Sequence, residues 1–335
     1  MDSEAYFKQH SIAEAERRKI DVGKLPQHLS MTPETITSNV LEISSQNLDK
    51  NDRKHILIRS LVSHLHAFVK ETSLTTEEWT MGLEFLTEVG KMSADVRPEF
   101  ILLSDILGVS ALMNSINDGK PPGATQSTVE GPFYTQNTQE VENGGSISSE
   151  GKGDYMYLEG RILDIQGNPI AGAIIDTWES DSTGTYDVAS SDPTKPECRG
   201  RITSKPDGSY SFRATVPVPY SIPDDGPVHR LLVATGRHPV RPAHLHFCIQ
   251  SPNYETLVTA LFFKGDAFNT SDAVHGVKSS LVVEPQLIND ISVTKARGFR
   301  DEKPHMYLKQ DFILANPQEA QDYRKTLHAK LGGVN

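Results

Sequence analysis

The stretch Arg241-Pro242-Ala243-His244-Leu245-His246-Phe247-Cys248-Ile249-Gln250 decides how the chain is read. Pro242 and Pro252 bracket it, and Leu245, Phe247 and Ile249 alternate with His244, His246 and Cys248. That alternation is the period of a strand, whose successive side chains point to opposite faces. His244 and His246 then project side by side, while Leu245, Phe247 and Ile249 turn the other way into a core. His64-Leu65-His66 has the same spacing, but its apolar neighbours recur at helical steps. Two helical positions mean roughly 200° of rotation, so those rings diverge, and His64 and His66 are expected to be ordinary solvated or structural histidines. For His244 and His246, spacing alone leaves two readings open: two imidazoles on one metal, or a pair of hydrogen-bonded core histidines.

Upstream, the period is that of a helix. Ile58, Leu61, Val62, Leu65, Phe68 and Val69 paint one face. Thr75-Thr76-Glu77-Glu78 has the form of a capping box and opens a second helix with Trp79, Leu83, Leu86 and Val89. A third is expected from about Pro98 to Ile116. Asp118-Gly119-Lys120-Pro121-Pro122-Gly123 ends helix formation. Beyond it, short apolar runs such as Ala173 to Trp178 and Ser209 to Ala214 lie between Gly/Pro turns, which predicts an antiparallel sandwich. A polar helix is expected from about Asn316. The chain therefore reads as α+β: a helical N-terminal region, residues 1–122, followed by an antiparallel β-sandwich, residues 123–335.

The 335 residues can bury a sizeable core, and an apolar fraction of 37% is globular. A formal charge of −11 argues against an unassisted nucleic-acid binder, which needs a basic stripe. Cys198 and Cys248 form no CxxC pair and cannot build a disulfide framework. Met1 to Lys19 is charged and does not read as a signal peptide. No run approaches the ~20 apolar residues of a membrane span, and Gly332-Gly333-Val334-Asn335 is no recognised address. Cytoplasmic location is the expectation.

Two tyrosines add weight to the metal reading. Tyr186 lies in the loop Asp181-Ser182-Thr183-Gly184-Thr185-Tyr186-Asp187, and Tyr220 in Pro217-Val218-Pro219-Tyr220-Ser221-Ile222-Pro223, held by prolines. A phenol is normally protonated at neutral pH, and a hard trivalent cation reverses that. Two phenolates with two imidazoles suit Fe(III) better than Zn. Taken singly, each tyrosine reads as a half-buried packing residue, as do Tyr155, Tyr157, Tyr210 and Tyr254.

With these residues in view, the chain resembles the intradiol ring-cleaving dioxygenases. The matching segments are Thr128-Val129-Glu130-Gly131-Pro132-Phe133-Tyr134, Gly184-Thr185-Tyr186, Cys198-Arg199-Gly200-Arg201, Pro219 to Pro223 with Asp225-Gly226-Pro227-Val228, and Gly236-Arg237-His238 through His246. They stand in the family's order and cover most of the chain, from about residue 40 to 310. Within the family the chain is most similar to the hydroxyquinol 1,2-dioxygenases, through Glu99 to Ser110 and through Ser271-Asp272-Ala273-Val274-His275-Gly276-Val277-Lys278.

The resemblance implies one Fe(III) per chain held by Tyr186, Tyr220, His244 and His246, with Tyr186 and His244 equatorial. It makes Arg241 the active-site arginine, whereas the residues alone favour a structural carboxylate partner for it. Tyr220 is implied to act also as a base toward an entering aromatic diol or triol, with O₂ as co-substrate. The implied substrate pocket comprises Leu102, Asp105, Val129, Gly131, Pro132, Phe133, Ile222, Pro223, Arg241, Ala260 and Val274. Leu102 and Asp105 share a helix face, and a carboxylate there can accept a hydrogen bond from a third ring hydroxyl; from the residues alone, Asp105 reads as a helix–helix polar contact. The resemblance also implies a homodimer through the helical region, with bound phospholipid in several relatives.

The chain departs from the pattern at four places. Glu130 is closer to the catechol-type Glu-Gly-Pro motif, and Ala260 falls where relatives often carry a polar residue. Ser221 and His229 replace the commoner Pro and Gly, away from the expected chemistry. The alternatives are a catechol 1,2-dioxygenase, which Asp105 argues against, and a non-catalytic transthyretin-like binding module, which needs no such tyrosine–histidine set. A third alternative is a zinc hydrolase, but the chain has no His-Glu-x-x-His helix or third carboxylate ligand.

Overall fold

Side-chain caps set where several helices begin. In the computed structural model, which describes all residues except 1, 27–29, 46, 95–96, 190–194 and 333–335, Asp2 accepts from the Ala5 N–H and opens α1 (Ser3–Arg17). After α2 (Ile36–Ser45), Asp52 opens α3 (Arg53–Thr72) by accepting from the Lys54 N–H at 2.8 Å. The expected capping box forms: the Thr75 N–H donates to Glu78 Oε2 at 2.9 Å and the Glu78 N–H to Thr75 Oγ1 at 3.2 Å, opening α4 (Thr76–Met92). Met1, Gly333, Val334 and Asn335, on which part of the reading of the two ends rested, lie outside the described residues.

The chain divides into two compact units, Met1–Glu84 and Phe85–Asn335. In the first, α2 and α3 are joined by polar links: His66 Nδ1 meets Thr37 Oγ1 at 3.0 Å, and Arg59 donates to the Leu41 carbonyl at 3.2 Å. His64 bonds its own helix at the Ser60 carbonyl, so His64 and His66 are ordinary helix histidines as expected. Leu57, Leu61, Leu65 and Phe68 leave an apolar row of α3 exposed.

In the second unit the expected third helix is two helices. α5 (Glu99–Ile106) and α6 (Val109–Asn117) are bent by 80°. The break is at Gly108, whose φ of +73° is a left-handed conformation that other residues adopt at a cost. Apolar residues on both sides of Gly108 hide this break from a periodicity reading.

The strands follow. β1 (Tyr155–Asp164), β2 (Ile174–Glu179), β3 (Arg199–Thr203) and β4 (Ser209–Thr215) precede a short β5 (Tyr220–Ser221). After α7 (Pro227–Ala234) come β6 (Val240–Arg241), β7 (His244–Gln250), β8 (Leu257–Phe263), β9 (Val282–Val283) and β10 (Gln286–Ile288). α8 (Ile291–Ala296), β11 (His305–Lys309), β12 (Phe312–Leu314) and α9 (Pro317–Lys330) complete the unit, α9 starting at an Asn316–Glu319 capping box.

One sheet runs β10-β11-β1-β12 with β4 on β1; the other runs β3-β2-β7-β8-β9. The expectation of a purely antiparallel sandwich is corrected here. β1 is parallel to β11 and β12, and β8 is parallel to β9. The parallel partners arrive from distant sequence, where no hairpin turn announces them. Between the sheets lies a core that includes Leu158, Ile162, Phe212, Phe312, Leu245, Phe247 and Ile249. The tyrosines read as packing residues behave so: Tyr155 donates to Asp301 and Tyr210 to the Gln310 carbonyl, Tyr157 lies under the Arg297 guanidinium, and Tyr254 packs against the core.

No single helix among the described residues is long and apolar enough to cross a membrane. Phe247 is fully buried against Phe212 and Phe312. Phe247→Ala is expected to lower stability by about 3–5 kcal/mol, read from the midpoint of urea unfolding.

Candidate metal centre

The pleat of β7 does what its sequence requires. Leu245, Phe247 and Ile249 enter the core, and His244 and His246 share the other face with ring centroids 4.6 Å apart. Both rings are buried. Pro242 interrupts the run between β6 and β7, and its carbonyl, which can only accept, lies 2.7 Å from His244 Nδ1. The proton of His244 is therefore on Nδ1, and the Nε2 lone pair is turned inward. Among the described residues, none is a hydrogen-bond partner for His246 Nδ1. Its ring is held instead by Trp178, stacked at 4.9 Å and 4°.

Two loops bring the phenols. Asp181 Oδ1 accepts from the Thr183 and Thr185 N–H groups at 2.8 and 3.0 Å, which folds the turn before Tyr186. Gly184 in that turn has φ +83°, and a Cβ there would stand 2.9 Å from Tyr220 Cβ, so the close approach of the two loops needs glycine. The Tyr186 ring stacks on Phe133 at 4.2 Å and meets Tyr220 edge-on at 5.4 Å. Arg199 fixes both sides of this arrangement, donating to Asp187 at 2.7 and 2.9 Å and to the Phe133 carbonyl at 2.8 Å. Tyr220 belongs to the β5–β6 ribbon, directly opposite Arg241.

The polar atoms converge. Tyr186 Oη is 3.4 Å from His244 Nε2. Arg241 Nη1 lies 3.1 Å from His244 Nε2 and donates to Tyr220 Oη at 3.3 Å. Burial, reinforced by Tyr220, holds the Tyr186 phenol well above its usual range. Burial and then Arg241 push His244 far down; burial, His244 and Arg241 do the same to His246. Both imidazoles are thus neutral, as metal ligands must be. Arg241 stays charged: burial opposes it, and Asp272 more than compensates.

These residues fit a hard cation. Two donors bonded at about 2 Å to one ion stand roughly 3 Å apart, close to the separation of Tyr186 Oη and His244 Nε2. Among the described residues, no three His, Cys, Asp or Glu side chains form a group able to hold a metal ion. A metal here would depend on the phenols.

Beside the cluster is a cavity of about 760 Å³. Leu102 and Asp105 of α5, the 129–133 segment through Val129, Gly131, Pro132 and Phe133, and Ile222, Pro223, Arg241 and Val274 all line it, together with Tyr186 and Tyr220. Ala260 does not. It is fully buried in β8, opposite His246 in register, packed with Phe262 and Leu281. Glu130 is absent from the lining too, and burial raises its carboxyl above the usual range. Ser221 lines the cavity, although its sequence position gave no sign of it. Trp178 and Asp272 escaped sequence reasoning because a stacking partner and a long-range ion pair leave no local periodicity.

Comparison with known proteins agrees with this geometry. A family model described as "Dioxygenase" matches residues 129–314, and one described as "Catechol dioxygenase N terminus" matches residues 51–125. The intradiol ring-cleavage dioxygenase hqdA of Aspergillus niger is 44% identical over 301 residues, 90% of each chain. Hydroxyquinol 1,2-dioxygenase of a Rhizobium species is 46% identical over 253 residues, 75% of this chain and 85% of that one. The crystal structure of hydroxyquinol 1,2-dioxygenase from Pseudomonas putida superposes with a TM-score of 0.75 at 39% identity, covering 85% of this chain and 98% of that chain.

Breaking the buried Asp187–Arg199 pair leaves an uncompensated charge. Asp187→Ala is expected to cost about 3–5 kcal/mol and to release the Tyr186 loop, checked by thermal unfolding and by protease sensitivity around residue 186.

Proposed function

This chain belongs to the intradiol ring-cleavage dioxygenases, and we propose that it opens hydroxyquinol, benzene-1,2,4-triol, between its two adjacent hydroxyl-bearing carbons. Both atoms of O₂ enter the product, 3-hydroxy-cis,cis-muconate, which tautomerises to maleylacetate. We place this chemistry in the cytoplasm. The relatives named above that act on hydroxyquinol support the substrate. The observation that carries it is a carboxylate, Asp105, that lines the same cavity as Tyr186, Tyr220 and Arg241 and is in no ion pair among the described residues.

The proposed ligands of one resident Fe(III) are Tyr186, Tyr220, His244 and His246, and the ion would supply the Lewis acidity that readies an aromatic diol for O₂. The chain's own residues do the rest. Tyr220, which would be a phenolate while it holds the ion, takes a proton from an entering ring hydroxyl and becomes a neutral phenol. Arg241 Nη1, 3.3 Å away, remains cationic and stabilises the charge that gathers on the ring oxygens and carbons. Phe133, Ile222 and Val274 give the ring apolar walls and keep water out. Asp105 accepts a hydrogen bond from the third hydroxyl, which catechol lacks, and an unmet buried carboxylate penalises that smaller substrate.

The helical segment, residues 1–122, is proposed to pair two copies and the sandwich segment, residues 123–335, to carry catalysis. The exposed row Leu57, Leu61, Leu65 and Phe68 supports pairing, and a phospholipid chain suits the same surface.

Iron-loaded protein should be red to purple, with the visible band moving to longer wavelength when hydroxyquinol is added without oxygen. Colourless, iron-free protein after loading would refute the ligand set. Tyr186→Phe should lose the colour and most of the bound iron, measured by metal analysis. Wild-type enzyme should favour hydroxyquinol over catechol in kcat/KM, and Asp105→Asn should reduce that preference by about 10- to 100-fold. Equal turnover of the two substrates would point to a catechol enzyme instead.

A further inference from the structure

Arg241 is fully committed in two directions. Nη1 serves the Tyr220 phenol and the His244 side of the site. Nε and Nη2 face the carboxylate of Asp272, at 3.2 and 3.5 Å. Asp272 is buried and is the one acidic side chain bonded to Arg241 among the described residues. Its carboxylate also accepts from the Val274 N–H at 3.3 Å and the Gly276 N–H at 2.8 Å. Val274 is a wall of the substrate cavity. The Gly276 carbonyl is in turn held by the Thr128 hydroxyl, next to Val129 in the same wall. A Cβ at Gly276 would stand 3.2 Å from both Arg241 Nη2 and Asp272 Oδ2, so the loop closes directly over the pair.

A second carboxylate shares the cavity with this guanidinium. Asp105 lines it, as Arg241 does. Burial raises the Asp105 carboxyl above its usual range, the Ser110 hydroxyl and then Arg241 pull it down, and Asp272 pushes it up, so the three charged groups act on one another. A buried arginine takes a carboxylate partner wherever geometry permits, because an unpaired buried charge is costly.

We infer that Asp272 is a positioning residue that sets substrate specificity: by occupying Arg241 and tying down the Val274 wall, it keeps the guanidinium at the Tyr220 and His244 side and leaves Asp105, bonded to the Ser110 hydroxyl but to no cation among the described residues, with acceptor capacity for the third ring hydroxyl. The inference rests on the reading of Asp105 given above. Without the Asp272 charge, Arg241 turns toward Asp105, the acceptor is neutralised by an internal ion pair, and the cavity stops distinguishing a triol from a diol.

Asp272→Asn tests this because it keeps the shape and removes the charge. Its crystal structure should show the Arg241 guanidinium within about 4 Å of the Asp105 carboxylate. Its kcat/KM ratio of hydroxyquinol over catechol should fall about tenfold, and D105N/D272N should lose no more preference than D105N alone, since both act through one pair. An Arg241 that stays on Tyr220 and His244 in the D272N structure overturns the proposal, as does an equal loss for both substrates, the mark of a merely structural residue. If D272N does not accumulate as folded protein, Asp272→Glu decides: the retained charge should keep the preference within about threefold, and its loss would overturn the idea. A wild-type enzyme without preference would sink the hydroxyquinol reading, while the position of Arg241 in D272N would still decide this one.

Discussion

Everything at this site depends on a seven-residue strand that must satisfy two environments at once. β7 buries Leu245, Phe247 and Ile249 between two sheets and, through the same pleat, presents His244 and His246 on the opposite face. The hydrophobic face fixes the register, because a slip of one residue would put imidazoles into the core and leucine and phenylalanine at the site. Packing energy therefore locks the placement of the two rings. They need no flexible loop to bring them together and lose little entropy when they act jointly.

Around that fixed pair the remaining groups are held by different means. His244 is oriented by a carbonyl, His246 by an aromatic face, Tyr186 by a turn built on Asp181 and by the Arg199–Asp187 pair, and Arg241 by Asp272. Apart from the Asp181 turn, the supports are buried. The donor atoms end within a few ångströms of one another without a carboxylate among them. Burial disfavours charge on both imidazoles and on the Tyr186 phenol, so a phenolate here would need a hard cation beside it to offset its charge.

Much of this was legible from local pattern. The strand period at residues 244–250, the helix period of α3 and the caps at Thr75 and Asn316 are short-range signals, and the structure bears them out. The cavity residues named from the resemblance line one cavity, except Ala260, which stands beside His246 on the neighbouring strand and is covered by Phe262 and Leu281. Long-range features were hidden. Nothing in Glu99 to Asn117 marks the bend, since a single glycine amid apolar residues keeps the helical pattern. The parallel pairing of β1 with residues 305–314 depends on a crossover that no turn motif signals. Asp272 stands in a quoted segment, yet its bond to Arg241 spans 31 positions and cannot be seen in either segment alone.

The β5–β6 ribbon gives the site an unequal mechanical character. Tyr220 stands on a pairing only two residues long, whereas both histidines are welded into a five-stranded sheet. The imidazole side is thus tied into long cross-strand pairings on both flanks, and the Tyr220 side into a single short one. The phenol on the shorter pairing is also the one whose oxygen Arg241 meets directly.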